Sequence, residues 1–423
     1  MTVWAVDAPA GYGKTHRLMH MLSLTLIEHP LQEGQQVLAL AFMHGARRRL
    51  NERLDSLQGL ARRYACMTVD SLAWRVRQRW RSLGTHLGLP LPGDAGSYEA
   101  ECKCAADMLA DPALKRWLAG SFPIIVVDEA QDLTTPRLAI VAALSQVARV
   151  FLAADEFQCL NPELRPNPLE KWLPTVCKPE TLPEPRRTNV QDLLGAAEAI
   201  RAGKPPESKK KFKIMAGPSL PLAAAQLASA IKWRNGGSVA VIAPTIRDKW
   251  VKGTIVHAQT KPSGKNKDAG PFPIRWEESE SDEMVRLTDG LQLPDACSFA
   301  AAIEVLRALP RSGPVEQTIA CLQRTASTTG RAETGKSEIL DHVHRYVGIR
   351  RHQARSGDSG LLAMTVHQAK NREFDGVVLM WPYAIGGDEE AKRRLLYNAI
   401  TRARRWCNVI VQGQDLMKKP PFG

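Results

Sequence analysis

The sequence predicts an α/β protein built on parallel sheets, and three observations carry that expectation. Across residues 1–200, short apolar strand-like runs alternate with helical patterns, as in a parallel sheet flanked by helices. The alternation returns at 238–243, 361–381 and 406–411. The first strand-to-helix junction has the composition of a phosphate-binding loop.

Strands are expected at 3–7, 37–42, 65–69, 123–127 and 149–153, with a small, mostly helical insertion at about 82–122. The Gly-, Pro- and Lys-rich stretch Arg201 to Lys213 marks a boundary or exposed loop and divides the chain into domains 1–200 and 201–423. Ser238 to Ala243 opens the second α/β unit. Residues 251–290 read as irregular. They hold a basic stretch, Lys261 to Lys267, and an acidic run, Glu277 to Glu283, and are expected to be a mobile surface insertion. Residues 296–330 look helical, so the second domain carries an insertion of about 251–345.

The chain of 423 residues has a formal net charge of +13, which favours an anionic partner, with nucleic acid the default. Basic residues cluster at Arg47-Arg48-Arg49, Arg75 to Arg81, Lys209-Lys210-Lys211, Arg350-Arg351 and Lys392-Arg393-Arg394. No apolar run has transmembrane length and no signal-peptide pattern is present, so a cytoplasmic protein without a membrane partner is expected. The eight cysteines are scattered and read as reduced thiols rather than a zinc site.

The junction itself is Ala8-Pro9-Ala10-Gly11-Tyr12-Gly13-Lys14-Thr15, after the apolar run Val3 to Val6 and before a helical pattern. Gly11 and Gly13 let the backbone curl so that its N–H groups face phosphate oxygens, and the helix N-terminus adds partial positive charge. Lys14 is placed for the β- and γ-phosphates of a nucleotide, and the Thr15 hydroxyl for Mg²⁺. Downstream, Ile124-Ile125-Val126-Val127-Asp128-Glu129 ends a buried strand on two adjacent acids. Asp128 can complete the Mg²⁺ shell opposite Thr15, and Glu129 is placed to polarise an attacking water.

Asp128-Glu129-Ala130-Gln131-Asp132 resembles the Walker B form of superfamily 1 helicases, and the chain resembles the UvrD/Rep/PcrA family nearly end to end. Ala8 to Thr15 resembles motif I, with the family's Ala at the first position. Val37 to Leu50, with Phe42 and Ala46, resembles motif Ia, and Thr68 to Ser71 the next single-strand contact motif. Phe151 to Gln158 resembles motif III, Leu182 to Thr188 motif IV, Thr365 to Phe374 motif V, and Leu396 to Arg404 motif VI. The resemblance implies two RecA-like P-loop NTPase domains that use ATP and Mg²⁺. It implies that Gln158 senses the γ-phosphate, that Arg187 and Arg402 supply positive charge there, and that Glu373 binds the nucleotide. It also implies that Phe42, Thr68, Thr365 and His367 contact a single strand. Arg187 and Arg402, far from the loop in sequence, are expected to come from a second domain closing on the nucleotide.

Simpler roles stand beside these: a core position for Phe42, a turn for His367, and core packing for Trp74 and Trp80, which are at helical spacing. The chain also departs from the family pattern. Arg186 stands where a base-stacking Tyr is usual, Ala154 where Gly is usual, and Asn371 where Gly follows the motif V Lys. Cys159 replaces the aromatic after Gln158, leaving Trp172 as a candidate substitute. No adenine-reading Gln segment precedes the first strand, so strict ATP selectivity is not expected.

The resemblance implies an ATP-dependent translocase or helicase acting on single-stranded DNA or a tailed duplex, 3′ to 5′. Motif VI would suit the opposite-polarity RecD-like branch nearly as well, and RNA remains open as a track. The alternative is an ATP-gated, end-sensing subunit that licenses a partner protein such as a nuclease, or serves a replication or repair factor, with little unwinding of its own.

Overall fold

The computed structural model describes residues 3–423 apart from 43, 61, 93–96, 234–236, 246, 264–267, 278–279, 290 and 355–359. Much of the basic stretch Lys261 to Lys267 and of the acidic run Glu277 to Glu283 lies outside the described residues, as do the side chains of Ala46 and Arg48.

The chain begins β1 (Val3–Asp7), α1 (Lys14–Glu28), β2 (Val37–Ala41), α2 (His44–Asp55), β3 (Tyr64–Thr68) and α3 (Val69–Arg79). The helices α4 (Arg81–His86), α5 (Tyr98–Met108) and α6 (Pro112–Ser121) occupy the region expected to be a helical insertion. Then come β4 (Ile124–Asp128), α7 (Thr135–Ser145), β5 (Arg149–Ala154), α8 (Pro168–Val176) and the short β6 (Glu180–Thr181). These strands form a parallel sheet in the order β3-β2-β4-β5-β1-β6. Its strands are apolar on both faces, as a sheet covered on both sides requires. Val6, Val37, Ala39 and Val126 pack with Leu18 and Leu22 of α1. Their neighbours Ala5, Leu38, Leu40 and Val127 pack on the opposite side with residues of α3, α5, α6 and α7.

The second sheet starts after α9 (Gln191–Arg201) with β7 (Phe212–Ala216), followed by α10 (Leu220–Lys232), β8 (Val239–Ala243), α11 (Lys249–Thr260) and β9 (Ile274–Trp276). Residues 277–359 form a compact unit of their own, separate from the unit made by 1–276 and 360–423. That smaller unit contains α12 (Glu280–Thr288), β10 (Ala296–Ser298), α13 (Phe299–Arg307), α14 (Gly313–Thr329), β11 (Glu333–Gly335) and α15 (Lys336–Ala354). Its core includes Phe299, Leu306, Leu322 and Val343, and β10 pairs antiparallel with β11. The chain then completes the second sheet with β12 (Leu361–Thr365), β13 (Phe374–Trp381), α16 (Glu389–Ile400) and β14 (Ala403–Val411). The order is β7-β14-β13-β8-β12-β9, again parallel throughout.

Two parallel sheets with helices on their faces match the expected fold class. The expectation that 251–290 is irregular needs correction: α11 and β9 fall within it. Trp250, Val251, Ile255 and Ala258 are buried against the second sheet, and Ile274 closes its β9 edge. Polar residues and Gly253 between these apolar positions hid the helix. α9 packs Leu193, Ala196 and Ile200 into the second sheet's core, so the chain crosses between the sheets within 182–190.

Candidate nucleotide site

The loop after β1 turns on Gly11 and Gly13, whose φ angles of 83° and 87° are left-handed. Gly13 caps α1 with no side-chain hydrogen bond, so the helix's first N–H groups remain open to an anion. Lys14 extends back over the loop. Its Nζ donates to the Ala8 carbonyl at 2.8 Å and the Pro9 carbonyl at 3.2 Å, and lies 3.6 Å from Asp155 Oδ2. The Thr15 hydroxyl donates to Asp128 Oδ2 at 3.1 Å, which joins the two expected Mg²⁺ ligands. A hydroxyl and a carboxylate beside a lysine, under an open helix N-terminus, are a donor set that fits a nucleotide phosphate with Mg²⁺.

Asp128 ends β4 fully inside the protein. Burial and the adjacent Glu129 push its carboxyl up to about 6. Glu129 has a left-handed φ of 56°. Burial alone would raise its pKa, but Lys370 and Lys14 outweigh that and hold it below the usual range, so the carboxylate is ionised. Gln131 Nε2 donates to Glu129 Oε2 at 2.6 Å, and Gln131 Oε1 accepts from the Asp155 N–H at 3.0 Å.

The second sheet reaches this same place. Lys370, in the turn after β12, donates to Asp132 Oδ1 at 2.7 Å and to the Gln158 carbonyl at 3.3 Å. Arg402, 2 % exposed, donates to Gln158 Oε1 at 3.1 Å, while Gln158 Nε2 donates to Asp155 Oδ2 at 2.6 Å. Burial, with Arg187 nearby, lowers the Arg402 guanidinium to about 10. The Tyr397 hydroxyl accepts from the Ala10 N–H at 2.8 Å and donates to Asp155 Oδ2 at 3.3 Å. Asp155 also takes Arg201 at 2.6 Å. Burial would raise its carboxyl, but Lys14 and Arg201 keep it ionised. Asp155, Tyr397 and Arg201 were not singled out from the sequence. The signal for Asp155 was its place at the end of an apolar strand, next to Gln158.

The origin of Arg187 corrects the expectation that it comes from a closing second domain. It follows β6 of the first sheet, and its N–H, like that of Arg186, donates to the Gly11 carbonyl. Its side chain pairs with Glu373 at 2.9 Å and donates to the Thr401 carbonyl at 2.8 Å. Glu373 also holds Arg404 at 2.8 Å. Arg186 lies over Gly13, with its Nη1 3.0 Å from His16 Nδ1.

The candidate strand contacts are in more constrained settings. Phe42, just past β2, is half-buried with the Arg137 guanidinium 5.4 Å from its ring centre. Thr68 caps α3 by accepting from the Ser71 N–H at 3.1 Å. Thr365 accepts from the Gln368 N–H at 3.1 Å, and Gln368 Oε1 accepts from the Thr365 N–H at 2.7 Å. His367 is exposed. Trp172 and Trp80 pack against the first core, so neither is a free stacking platform. Arg77 is buried, paired with Glu101 at 2.9 Å, and Arg394 is buried against Glu390 and the Glu156 carbonyl. Those two basic clusters therefore include structural arginines.

Two family models match the chain: a AAA domain over residues 1–162 and a UvrD-like helicase C-terminal domain over residues 360–410. By these matches the chain is similar to the UvrD-like helicases. The matched stretches, residues 1–162 and 360–410, contain the loop, acids, Lys370 and Arg402 that meet at the site. Among solved structures the chain is similar to the Arterivirus nonstructural protein 10 (helicase), at 13 % identity and a TM-score of 0.41. The alignment covers 100 % of this chain and 62 % of that one, so the chain spans under two thirds of its length. No curated protein matches the chain. No described helix is long and apolar enough to cross a membrane.

Proposed function

We propose that this UvrD-like chain hydrolyses ATP at the junction of its two sheets and uses the cycle to move along single-stranded DNA, 3′ to 5′. The observation that carries the reading is convergence. Thr15–Asp128, Glu129 and Lys14 from the first sheet meet Lys370 and Arg402 from the second around Asp155 and Gln158. Phosphoryl transfer depends on positioning and neutralisation of developing charge, which this set supplies.

In this reading Lys14 leaves the Ala8 and Pro9 carbonyls for the phosphates, and Glu129 takes a proton from the attacking water. Arg402 and Arg187 stabilise the charge that builds on the transferred group. Thr15 and Asp128 would hold Mg²⁺, which supplies further charge neutralisation when bound. Because Lys370 and Arg402 are on the second sheet, loss of the γ-phosphate alters the contacts between the sheets, and a strand gripped by both would be advanced.

A second reading, an ATP-gated subunit that licenses a partner protein, is favoured by one feature: the half-buried Phe42 ring already carries the Arg137 guanidinium over it, 5.4 Å from its centre. One experiment separates the two. ATP hydrolysis is measured with and without single-stranded DNA, with Glu129→Gln as control, and unwinding is followed on 3′-tailed and 5′-tailed duplexes. Stimulated hydrolysis with unwinding of the 3′-tailed duplex supports the translocase. Unwinding of the 5′-tailed duplex alone reverses the polarity. Stimulation without unwinding of either selects the gated subunit, and no hydrolysis under any condition refutes both.

A further inference from the structure

The open edge of the second sheet carries a groove whose lining includes none of the catalytic groups named above, and the nucleotide reading does not use it. Strand β7 pairs with β14 on one side only, and α10 crosses above it. Between them lies a depression of about 450 Å³ lined by Lys210, Lys211, Lys213, Gln226, Trp233 and Trp406, together with small or neutral residues. None of the residues described along it is acidic. All three lysines are exposed, and none has an ion-pair partner among the described residues; Lys209, just before them, pairs with Glu207.

The two tryptophans are set differently. Trp233 caps the C-terminal end of α10 and is 72 % exposed, an unusual position for a large apolar ring. Trp406 is fixed. It sits opposite Gly376 where the β13–β14 register shifts, and a Cβ on Gly376 would lie 2.0 Å from Trp406 Cζ2. Only glycine lets that ring lie against the β13 backbone, so the indole is held rigid. Gln226 adds a polar feature: its Nε2 donates to the Ala216 carbonyl at 2.9 Å, while its Oε1 is buried with no donor.

We propose that this groove is a second contact site for single-stranded nucleic acid, distinct from the ATP-coupled path. Exposed and fixed indoles offer faces and edges to bases. The lysines, without ion-pair partners among the described residues, offer charge to flanking phosphates. Aromatic rings interleaved with unpaired cations are the pattern of sequence-tolerant strand binding. An acidic peptide would use the lysines but would leave Trp233 without a stacking partner, so the strand is the better fit.

The test uses the full chain without nucleotide, so it does not depend on the hydrolysis mechanism. Binding of fluorescein-labelled dT20 is measured by anisotropy across a salt series for the wild type, Trp233→Ala and Lys210→Ala/Lys213→Ala. Loss of one stacked base should weaken binding about 5- to 150-fold in Trp233→Ala. The double lysine variant should lower the slope of log affinity against log salt by about 1.4. Basal ATP hydrolysis without DNA should be unchanged in both, showing that the variants are folded. In parallel, dT20 carrying 5-iododeoxyuridine is photo-crosslinked and mapped by mass spectrometry, with adducts expected on peptides containing Trp233 or Trp406. Unchanged affinity and slope with no adduct on those peptides would overturn the proposal. So would protection of Trp233 by poly-glutamate but not by dT20, which would assign the groove to a protein partner.

Discussion

The ion pair between Lys370 and Asp132 is the most exposed point of the argument, because it joins the second sheet to the acid-rich turn of the first. Both side chains are almost buried, at 7 % and 9 % exposure. The partners are not symmetrical. Burial raises the Asp132 carboxyl above the usual range despite Lys370, and the nearby Glu129 raises it further. Burial would lower Lys370, but attraction to Asp132 and Glu129 lifts it above its ordinary value. Lys370→Met keeps the apolar stem and removes the charge, which leaves a buried carboxylate without its cation at a cost of about 3–5 kcal/mol. Asp132→Asn should also destabilise. The double variant should fall short of the sum of the singles by about 2–3 kcal/mol, because the second change removes a charge already stranded by the first. Without Lys370 the folded-state pKa of Asp132 rises further above its unfolded value of about 3.9. The penalty is therefore absent below that unfolded value and grows as pH rises through the raised folded one, so Lys370→Met should be least destabilising near pH 4 and most above neutrality. Urea unfolding followed by tryptophan fluorescence at several pH values, compared at a shared m-value, measures all three quantities. A cost under about 1 kcal/mol at pH 7, or strict additivity of the pair, would refute the claim that this contact ties the sheets together.

Five further variants have expected outcomes. Lys14→Ala should abolish ATP hydrolysis, and Glu129→Gln should bind ATP and retain it, both read by single-turnover assays with filter binding. Arg402→Ala should lose at least 10³-fold in hydrolysis, on the order of an arginine-finger contribution, while still binding nucleotide, as checked by comparing kcat with equilibrium binding of a fluorescent ATP analogue. Gly13→Ala should cost about 1–2 kcal/mol at its left-handed φ and force Arg186 aside, because a Cβ would lie 2.7 Å from Arg186 Cδ; thermal melts with and without ATP report both effects. Arg77→Met, which removes the buried guanidinium paired with Glu101 at 2.9 Å, should destabilise in urea without altering the ATP concentration that half-saturates hydrolysis.

What the sequence disclosed and what it hid divide along physical lines. Strands such as Val37 to Ala41 and Ile124 to Asp128 were legible because both faces of a parallel sheet are apolar, which leaves continuous runs. The loop from Ala8 to Thr15 was legible because left-handed backbone angles demand glycine at fixed positions. The helix α11 was not, because its buried positions are interleaved with Lys252, Gly253 and His257 and include the polar Thr254. The burial of Arg77 and Arg394 was not either, since a charge run reads as solvated until its carboxylate partners, Glu101 for one and Glu156 for the other, are brought alongside by the fold. The Trp233 groove was invisible for a related reason: Lys213, Gln226 and Trp406 are far apart in sequence and meet only at a sheet edge.

Asp155 explains how the separate parts of the site act together. Its buried carboxylate takes Lys14 from the phosphate loop, Arg201 from α9, Tyr397 from α16, and Gln158, which in turn takes Arg402. Two cations share one fully buried carboxylate, so the balance depends on both. Were a phosphate to draw Lys14 away, as the proposed hydrolysis requires, Asp155 would keep Arg201 of α9 and Tyr397 of α16, helices that pack on the second sheet. Tyr397 is bound to this exchange at both ends, since the same hydroxyl holds the Ala10 N–H of the phosphate loop. Lys14, Asp155 and Tyr397 thus form a contiguous chain of side-chain contacts from the phosphate loop to a helix of the opposite sheet, a physical route by which the proposed coupling between nucleotide and domain movement would travel.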